Sequence, residues 1–473
     1  MRRCDGESVV QPGHLANRCP LSAVLAANLI SVAGNSLTQL GVPWFVLQTT
    51  GSPAKAGIVA FCTMLPVVVS ALAGGPLIDR LGRLRVSMTS DLVCAATVAA
   101  VPLLQFAGVL RFWTLCLLMA VTGLFHAPGV TAREVLLPTL AHRAGIPLTR
   151  AAGFYDGASR CAGTIGAAVG GVLIAVVGAD RVLLVDAATF AVSVALVYVG
   201  LHDLPEAQPQ QTGKASLRGY RHELREGYRY LLRTPLLLSI CLVVLVTSGL
   251  DQGWSAVLLP VHVRDRLGGS VDFGVLEATF AVCALIGALV YAAVGSRLRR
   301  WPVFTVAFLI VGMPRFAVAA LTGTMTPLAV MMAIEGLACG VLNPILAIVL
   351  YEHVPDALRS RVLSAMTAST LMITPLGGLA AGFLVDSTGP TTAMLIVGGI
   401  YLLATLCPVT LPSWRHMDAT AAGQQREQEY PPSDREENPP ARTRRSRHPP
   451  TEVRQASYTA LSSESSDEGA PAP

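Results

Sequence analysis

Three ionisable side chains interrupt long apolar stretches of this chain: Asp251 in VLVTSGLDQGW, Arg315 in IVGMPRFAVAAL and Glu335 in AVMMAIEGLACG. A charge held in lipid is costly unless it is paired or wetted, so such residues are functional candidates by default. A carboxylate in that setting can bind and release a proton. Its neutral form permits one conformation and its ionised form favours another. Asp251 and Glu335 are therefore read as protonatable coupling groups, with Arg315 as a charge partner at similar depth. A static pair of Glu335 with Arg315 is an equal alternative. Asp251 has no cation near it in sequence.

Other polar residues suggest quieter roles. Asp156 and Arg160 are spaced for an ion pair on one helix face. Asp91, Arg133 and Glu134 fall near inner helix ends and suit a charge cluster around Asp79, while Asp186 and Glu277 fall near outer ends, where solvated or packing roles fit. Trp44, Phe45 and Trp254 are candidates to line a cavity for an aromatic or polycyclic ligand; each taken singly also suits interfacial anchoring. Gly41-Val42-Pro43 and Asn343-Pro344 are kink sites. His126 and His353 are isolated. The ten cysteines form no CxxC pair and no ligand spacing, and read as small buried apolar residues. With no Walker loop, GxSxG or HExxH, no enzyme activity, cofactor or metal is expected.

The elements that must position these residues follow from composition. The chain has 473 residues, 52% hydrophobic and 14% charged, against roughly 25% charged in an ordinary soluble domain. Mean hydropathy is +0.54. That balance excludes a soluble enzyme, a nucleic-acid binder or a disordered scaffold, and predicts an all-α membrane protein. Twelve apolar segments are long enough to span: 21–48, 54–78, 86–107, 112–138, 150–178, 181–201, 234–258, 273–296, 301–321, 326–351, 361–386 and 391–412. Residues 1–19 lack a signal-peptide core. Arginines crowd the loops on the N-terminal side, while the opposite loops hold Lys55, Arg111, Arg181, Arg264 and Arg266. This asymmetry predicts both termini in the cytoplasm.

The expected organisation is a cytoplasmic N-terminal segment (1–19), a six-helix bundle (20–201), a cytoplasmic linker (202–233), a second six-helix bundle (234–412) and a disordered cytoplasmic tail (413–473). The linker ends in an amphipathic helix, with Leu217, Tyr220, Leu224, Tyr228 and Leu231 at helical spacing. The tail is rich in Pro, Ser, Glu, Arg and Gln. An internal repeat relates the halves: a constant offset pairs Arg150, Gly166, Gly171, Leu173 and Gly178 with Arg361, Gly377, Gly382, Leu384 and Gly389. Two six-helix halves so related suggest alternating-access transport.

Two local motifs are more specific. GGPLIDRLGRLRV places Gly75, Asp79, Arg80, Gly82 and Arg83 after the second apolar run. Gly75 permits close helix approach, Gly82 a tight turn, and the arginines hold the loop inside. In the fifth run, Gly163, Gly166, Gly170 and Gly171 give a small-residue stripe suited to tight packing.

The first motif resembles the loop signature of the major facilitator superfamily, with Leu84 where a further basic residue is usual. In that family Asp79 would face the start of the eleventh helix, here near Arg361, as a gate between the halves. The glycine stripe resembles the antiporter motif of drug exporters, with Ala167 in place of its proline. An arginine common in the fourth helix of proton-coupled exporters is replaced by Met119. The segments LREGYRYLLRTPLL, LLPTLAHRAGIPLTRAAGF and VPDALRSRVLSA look like the macrolide-efflux and enterobactin-export branch. The resemblance implies two pseudo-symmetric six-helix bundles around a central cavity, and acidic residues on the seventh and tenth helices as coupling groups.

The expected function is efflux of a lipophilic drug-like compound or secondary metabolite across the cytoplasmic membrane, by proton antiport. The expected partners are that substrate, the proton and the bilayer; no nucleic acid is expected, and the chain is expected to be a monomer. Uptake of a small metabolite on the same fold, or a non-transporting membrane sensor, are the alternatives.

Overall fold

The computed structural model describes residues 18–202 and 217–412, with Trp414 and Met417, and within them all side chains except those of 72–81, 217–223, 296, 356 and 357. Every regular element among these residues is helical, and twelve helices are long and apolar enough to cross a membrane. In chain order they are Cys19–Thr50, Pro53–Leu81, Arg83–Phe106, Phe112–Arg143, Leu148–Val177, Ala179–Leu201, Pro235–Leu267, Ser270–Val294, Arg300–Leu321, Met325–His353, Asp356–Thr388 and Pro390–Thr410, here the first to twelfth spans. A helix rising ~1.5 Å per residue needs about 20 residues to cross the hydrocarbon layer. The shortest span has 21. Large apolar side chains such as Leu321, Val176 and Trp113 are exposed on the outer surface, as lipid contact requires.

The fifth and sixth spans, and the eleventh and twelfth, are each joined by one residue. Gly178 and Gly389 hold φ at +88° and +84°, a conformation that strains any residue with a Cβ. They are partners in the internal repeat, and the repeat extends to packing. Gly166 lies on Ala33 of the first span, and its counterpart Gly377 lies on Gly249 of the seventh. Gly171 reaches across to Gly274 of the eighth span, and its counterpart Gly382 reaches Gly57 of the second. The same glycine positions thus seal each half internally and then join the halves.

The halves meet at the end remote from Cys19, termed the far end. There Trp44 stacks on Phe273 with ring centroids 5.1 Å apart, and Arg264 Nη1 donates to the Gly51 carbonyl at 2.9 Å. At the near end, the linker helix Leu217–Arg233 docks on the eleventh span. Gly227 lets its backbone approach Arg361, Glu226 pairs with Arg361, Tyr228 Oη and Ser369 Oγ lie 2.7 Å apart, and Leu231 is buried. The expected surface helix is therefore strapped to the bundle along one face.

Three boundaries differ from expectation. The seventh span does not stop at 258 but runs to Leu267 through two π-helical stretches, Trp254–Leu258 and Val263–Leu267. Pro260 accounts for the first: it lacks an N–H and its ring crowds the carbonyl four residues earlier, which a wider turn relieves. The ninth span is two helices, Arg300–Val311 and Met313–Leu321, broken at Gly312 with Pro314 fixing the restart. Ordered packing also continues past 412, because Trp414 is fully buried and stacks on Phe304 at 5.4 Å. Residues 1–17 and the rest of the 413–473 tail lie outside the described residues.

Candidate functional site

Each half contains a buried charge knot tying four equivalent spans. In the first half, Arg133 Nη1 of the fourth span donates to Asp91 Oδ2 of the third at 2.6 Å. Ser193 of the sixth donates to the same oxygen at 2.6 Å, and Arg133 Nη2 reaches Ser31 Oγ of the first at 3.2 Å. Arg133 and Asp91 are therefore internal, rather than members of a cluster at the membrane surface. Of the solvated and packing roles open to Asp186, the structure shows packing: it is sealed, and accepts from Thr38 and Thr189.

In the second half the arginine has moved to the ninth span. Arg315 Nη1 donates to Glu335 Oε1 of the tenth at 2.6 Å, and Nη2 to Asp251 Oδ1 of the seventh. Tyr401 of the twelfth span donates to Asp251 Oδ2 at 3.5 Å. The guanidinium lies 5.2 Å from the Trp254 ring centre, 4.6 Å from Phe316 and 5.1 Å from Tyr401. Two acceptors and three ring faces fix one cation in place. The break at Gly312 makes this possible: it starts a short helix whose third residue is Arg315.

The two knots differ in access. Arg133 and Asp91 are closed off, with side chains 0% and 3% exposed. In the second half, Glu335 is 1% exposed but Asp251 is 46% exposed. The opening is a cavity of about 410 Å³ lined by Asp251, Trp254, Glu277, Arg315, Glu335 and Thr370, among others. A second cavity, of about 210 Å³, lies on the first half and is lined by Gln39, Met64, Met119 and His126, among others. Gln252 and Ser255 of the seventh span belong to both walls. The two adjoining cavities therefore give a charged side and a side with no Asp, Glu, Lys or Arg among the described residues of its wall.

The candidate residues distribute unevenly over this space. Asp251, Glu335 and Arg315 converge on one knot, and Trp254 joins it. Trp44 and Phe45 do not line either cavity: both are buried, and Trp44 is spent on the far-end stack with Phe273. Their expected place in a cavity wall is not seen at these two cavities, and Trp44 lies against Phe273 of the eighth span. Of the glycine stripe, Gly166 and Gly170 pack on the first span, Gly171 crosses to the eighth, and Gly163 meets nothing closer than Val32 at 3.9 Å. Gly82 caps the third span with φ +89°, and Arg83 Nη1 donates to the Val135 carbonyl at 3.4 Å. Gly75, Asp79 and Arg80 belong to the helical backbone of the second span, and the side chains of Asp79 and Arg80 lie outside the described ones. Asp156 and Arg160 pair at 3.0 Å on an exposed face.

Sequence reasoning missed Glu277 and Tyr401. Glu277 is seven residues into the eighth span and reads as near a helix end, yet it lines the larger cavity. Tyr401 was visible as a lone phenol inside the twelfth apolar run, a pattern that usually signals a partner for its hydroxyl.

Comparison with known proteins agrees with this geometry. A family profile described as Major Facilitator Superfamily matches residues 24–287 and again 241–449. The chain is 33% identical over 405 residues to the multidrug efflux pump Tap of Mycolicibacterium fortuitum, across 85% of this chain and 98% of that protein. It is 21% identical over 396 residues to macrolide efflux protein A of Streptococcus pyogenes, across 82% and 94%. Among solved structures, the nucleoside transporter NupG superposes with a TM-score of 0.65 at 15% identity, across 83% of this chain and 98% of that one. At that identity the likeness concerns the fold alone.

Proposed function

Because the chain belongs to the Major Facilitator Superfamily and is a multi-pass membrane transporter rather than an enzyme, we propose that it exports a lipophilic, drug-like compound or secondary metabolite by proton antiport and alternating access. Similarity to a multidrug efflux pump over 85% of this chain and 98% of that protein supports the direction. The observation that carries the coupling is the Arg315 knot opening on the central cavity.

Glu335 Oε1 is held by Arg315, while among the described residues Oε2 is buried with no hydrogen-bond partner. A buried carboxylate oxygen without a donor is a place for a proton. Protonation of Glu335 or Asp251 would remove one of the two anions facing Arg315, loosen the seventh, ninth and tenth spans from one another, and change the relative energy of the two conformers. Loss of the proton would restore the knot.

The remaining parts of the reading concern the membrane. The protein sits in the cytoplasmic membrane as a monomer with both termini inside. Segments 20–201 and 234–412 are the moving bundles, and 202–233 is their tether. The gate is Gly75, Asp79, Arg80, Gly82 and Arg83 against the eleventh span, and Gly163, Gly166, Gly170 and Gly171 form the packing stripe of the fifth. On that orientation, the far-end closure makes this the conformer that loads from the cytoplasm.

A direct test is expression in a bacterial host stripped of its own pumps. Cells carrying the protein should accumulate less ethidium or tetracycline than controls, and a protonophore should abolish the difference. Equal accumulation with and without the protein, across a panel of lipophilic compounds, would overturn the export reading.

A further inference from the structure

A groove of about 520 Å³ runs between the ninth and tenth spans and shares no lining residue with the two central cavities. Among the described residues its walls are entirely aliphatic or proline. Ala307 and Ala338 are buried and make its floor, while Val306, Ile334 and Leu337 are exposed and make its rims. Two alanines on neighbouring helices leave room that larger side chains would fill.

The groove has a definite length and a definite polarity. On the ninth span it runs from Pro302, just past the near-end start at Arg300, to Ile310, about the middle of the span. At ~1.5 Å per residue that distance is about 12 Å, close to the roughly 15 Å of half a hydrocarbon core. The groove is thus one leaflet deep. At its near end, Arg299 is exposed at the cap of the ninth span. It lies one turn before Val303 and so heads the stripe Val303, Val306 and Ile310 that lines the groove. Arg300 is committed to Glu352, whereas Arg299, among the described residues, makes no hydrogen bond or ion pair. A positive mouth above an apolar channel is the complement of a molecule with an anionic head and an alkyl chain.

We propose that this groove binds one acyl chain of an acidic phospholipid from the near-end leaflet, with the lipid phosphate at Arg299. The site is independent of the direction of transport. Ile334 on its rim immediately precedes Glu335, so the bound chain braces from outside the two spans that Arg315 and Glu335 tie from inside.

The test is native mass spectrometry of the purified full chain in detergent, titrated with phosphatidylglycerol or with phosphatidylcholine of the same acyl chains. The unaltered protein should retain phosphatidylglycerol more tightly than phosphatidylcholine. Arg299→Gln should bind phosphatidylglycerol about fivefold more weakly, the factor for one basic residue at an anionic lipid surface. Ala307→Leu, which fills the floor, should weaken retention as well. Arg229→Gln, on the exposed side of the linker helix, should bind like the unaltered protein, and melting temperature shows whether each variant is folded. A second measurement needs no variant: phosphatidylglycerol with a diazirine on its acyl chain should label residues 302–310 and 334–341 ahead of other lipid-facing segments. Excess phosphatidylglycerol should suppress that labelling, and phosphatidylcholine should not. Equal retention of the two lipids, equal losses in Arg299→Gln and Arg229→Gln, unchanged retention by folded Ala307→Leu, or labelling spread evenly over the spans would each overturn the proposal and leave bulk lipid as the occupant. Suppression by ethidium but not by phosphatidylglycerol would overturn it too, by assigning the groove to cargo.

Discussion

Arg315 has two carboxylate acceptors in different surroundings. Glu335 is sealed from solvent, whereas nearly half of the Asp251 side chain faces the cavity. Removing one partner of a fully buried pair strands a charge and costs about 3–5 kcal/mol, while a solvent-screened pair is worth about 1 kcal/mol or less. Glu335→Ala should therefore lower the melting temperature of the detergent-purified protein far more than Asp251→Ala. Equal losses would mean that the two carboxylates are equivalent, which contradicts the burial difference. At this scale the sequence was informative about identity and poor about environment. Asp251, Arg315 and Glu335 are conspicuous because each breaks an apolar run. Glu277 breaks one too, but counting from the nearest helix end suggests only a solvated or packing role, and no rule of spacing shows that a cavity reaches it. Trp44 failed in the opposite sense: its helix position is right, but the neighbour it meets belongs to the eighth span, more than 200 residues away in the chain.

At the scale of elements, the fifth span shows how a stripe of similar residues divides into different tasks. A Cβ on Gly171 would collide with the backbone of Gly274 in the other half, whereas a Cβ on Gly163 would find its nearest neighbour, Val32, at 3.9 Å. Gly171→Ala should therefore keep the far ends apart and abolish transport while the helices still form. Gly163→Ala should transport like the unaltered protein. Dye efflux from cells, with circular dichroism as the check on folding, measures both, and a transport-competent Gly171→Ala would show that this contact is dispensable. The lengths and number of spans were legible because hydropathy acts over about 20 residues. The π turns before Pro260 and at the end of the seventh span, and the break at Gly312, were not. They arise where single residues forbid regular hydrogen bonding, and a window average erases single residues.

At the scale of the molecule, the internal repeat turned out to describe contacts as well as letters. Gly57 and Gly382 approach reciprocally at the far end, each with its Cβ position 3.2 Å from the Cα of the other. If the far end must open once per cycle, a Ser52→Cys, Asp386→Cys pair, whose native side chains lie 3.5 Å apart there, should cross-link on oxidation and arrest transport, and a reductant should restore it. Continued transport by the fully cross-linked protein would contradict alternation at this seam. The repeat was readable because the fifth and eleventh spans retain ungapped glycines. The Arg315–Glu335 pair was anticipated from depth alone, but the pairing of Asp91 with Arg133, and with it the inverted placement of arginine and acid in the two knots, was not.

The central claim is that a proton moving through the Arg315 knot drives a lipophilic compound outward. Its most direct test is uptake of a fluorescent lipophilic dye into everted membrane vesicles under an imposed inside-acid gradient. The unaltered protein is compared with Asp251→Asn and Glu335→Gln. Uptake should require the gradient, and both variants should lose it. Gradient-independent uptake, or gradient-driven uptake undiminished in both variants, would contradict the claim.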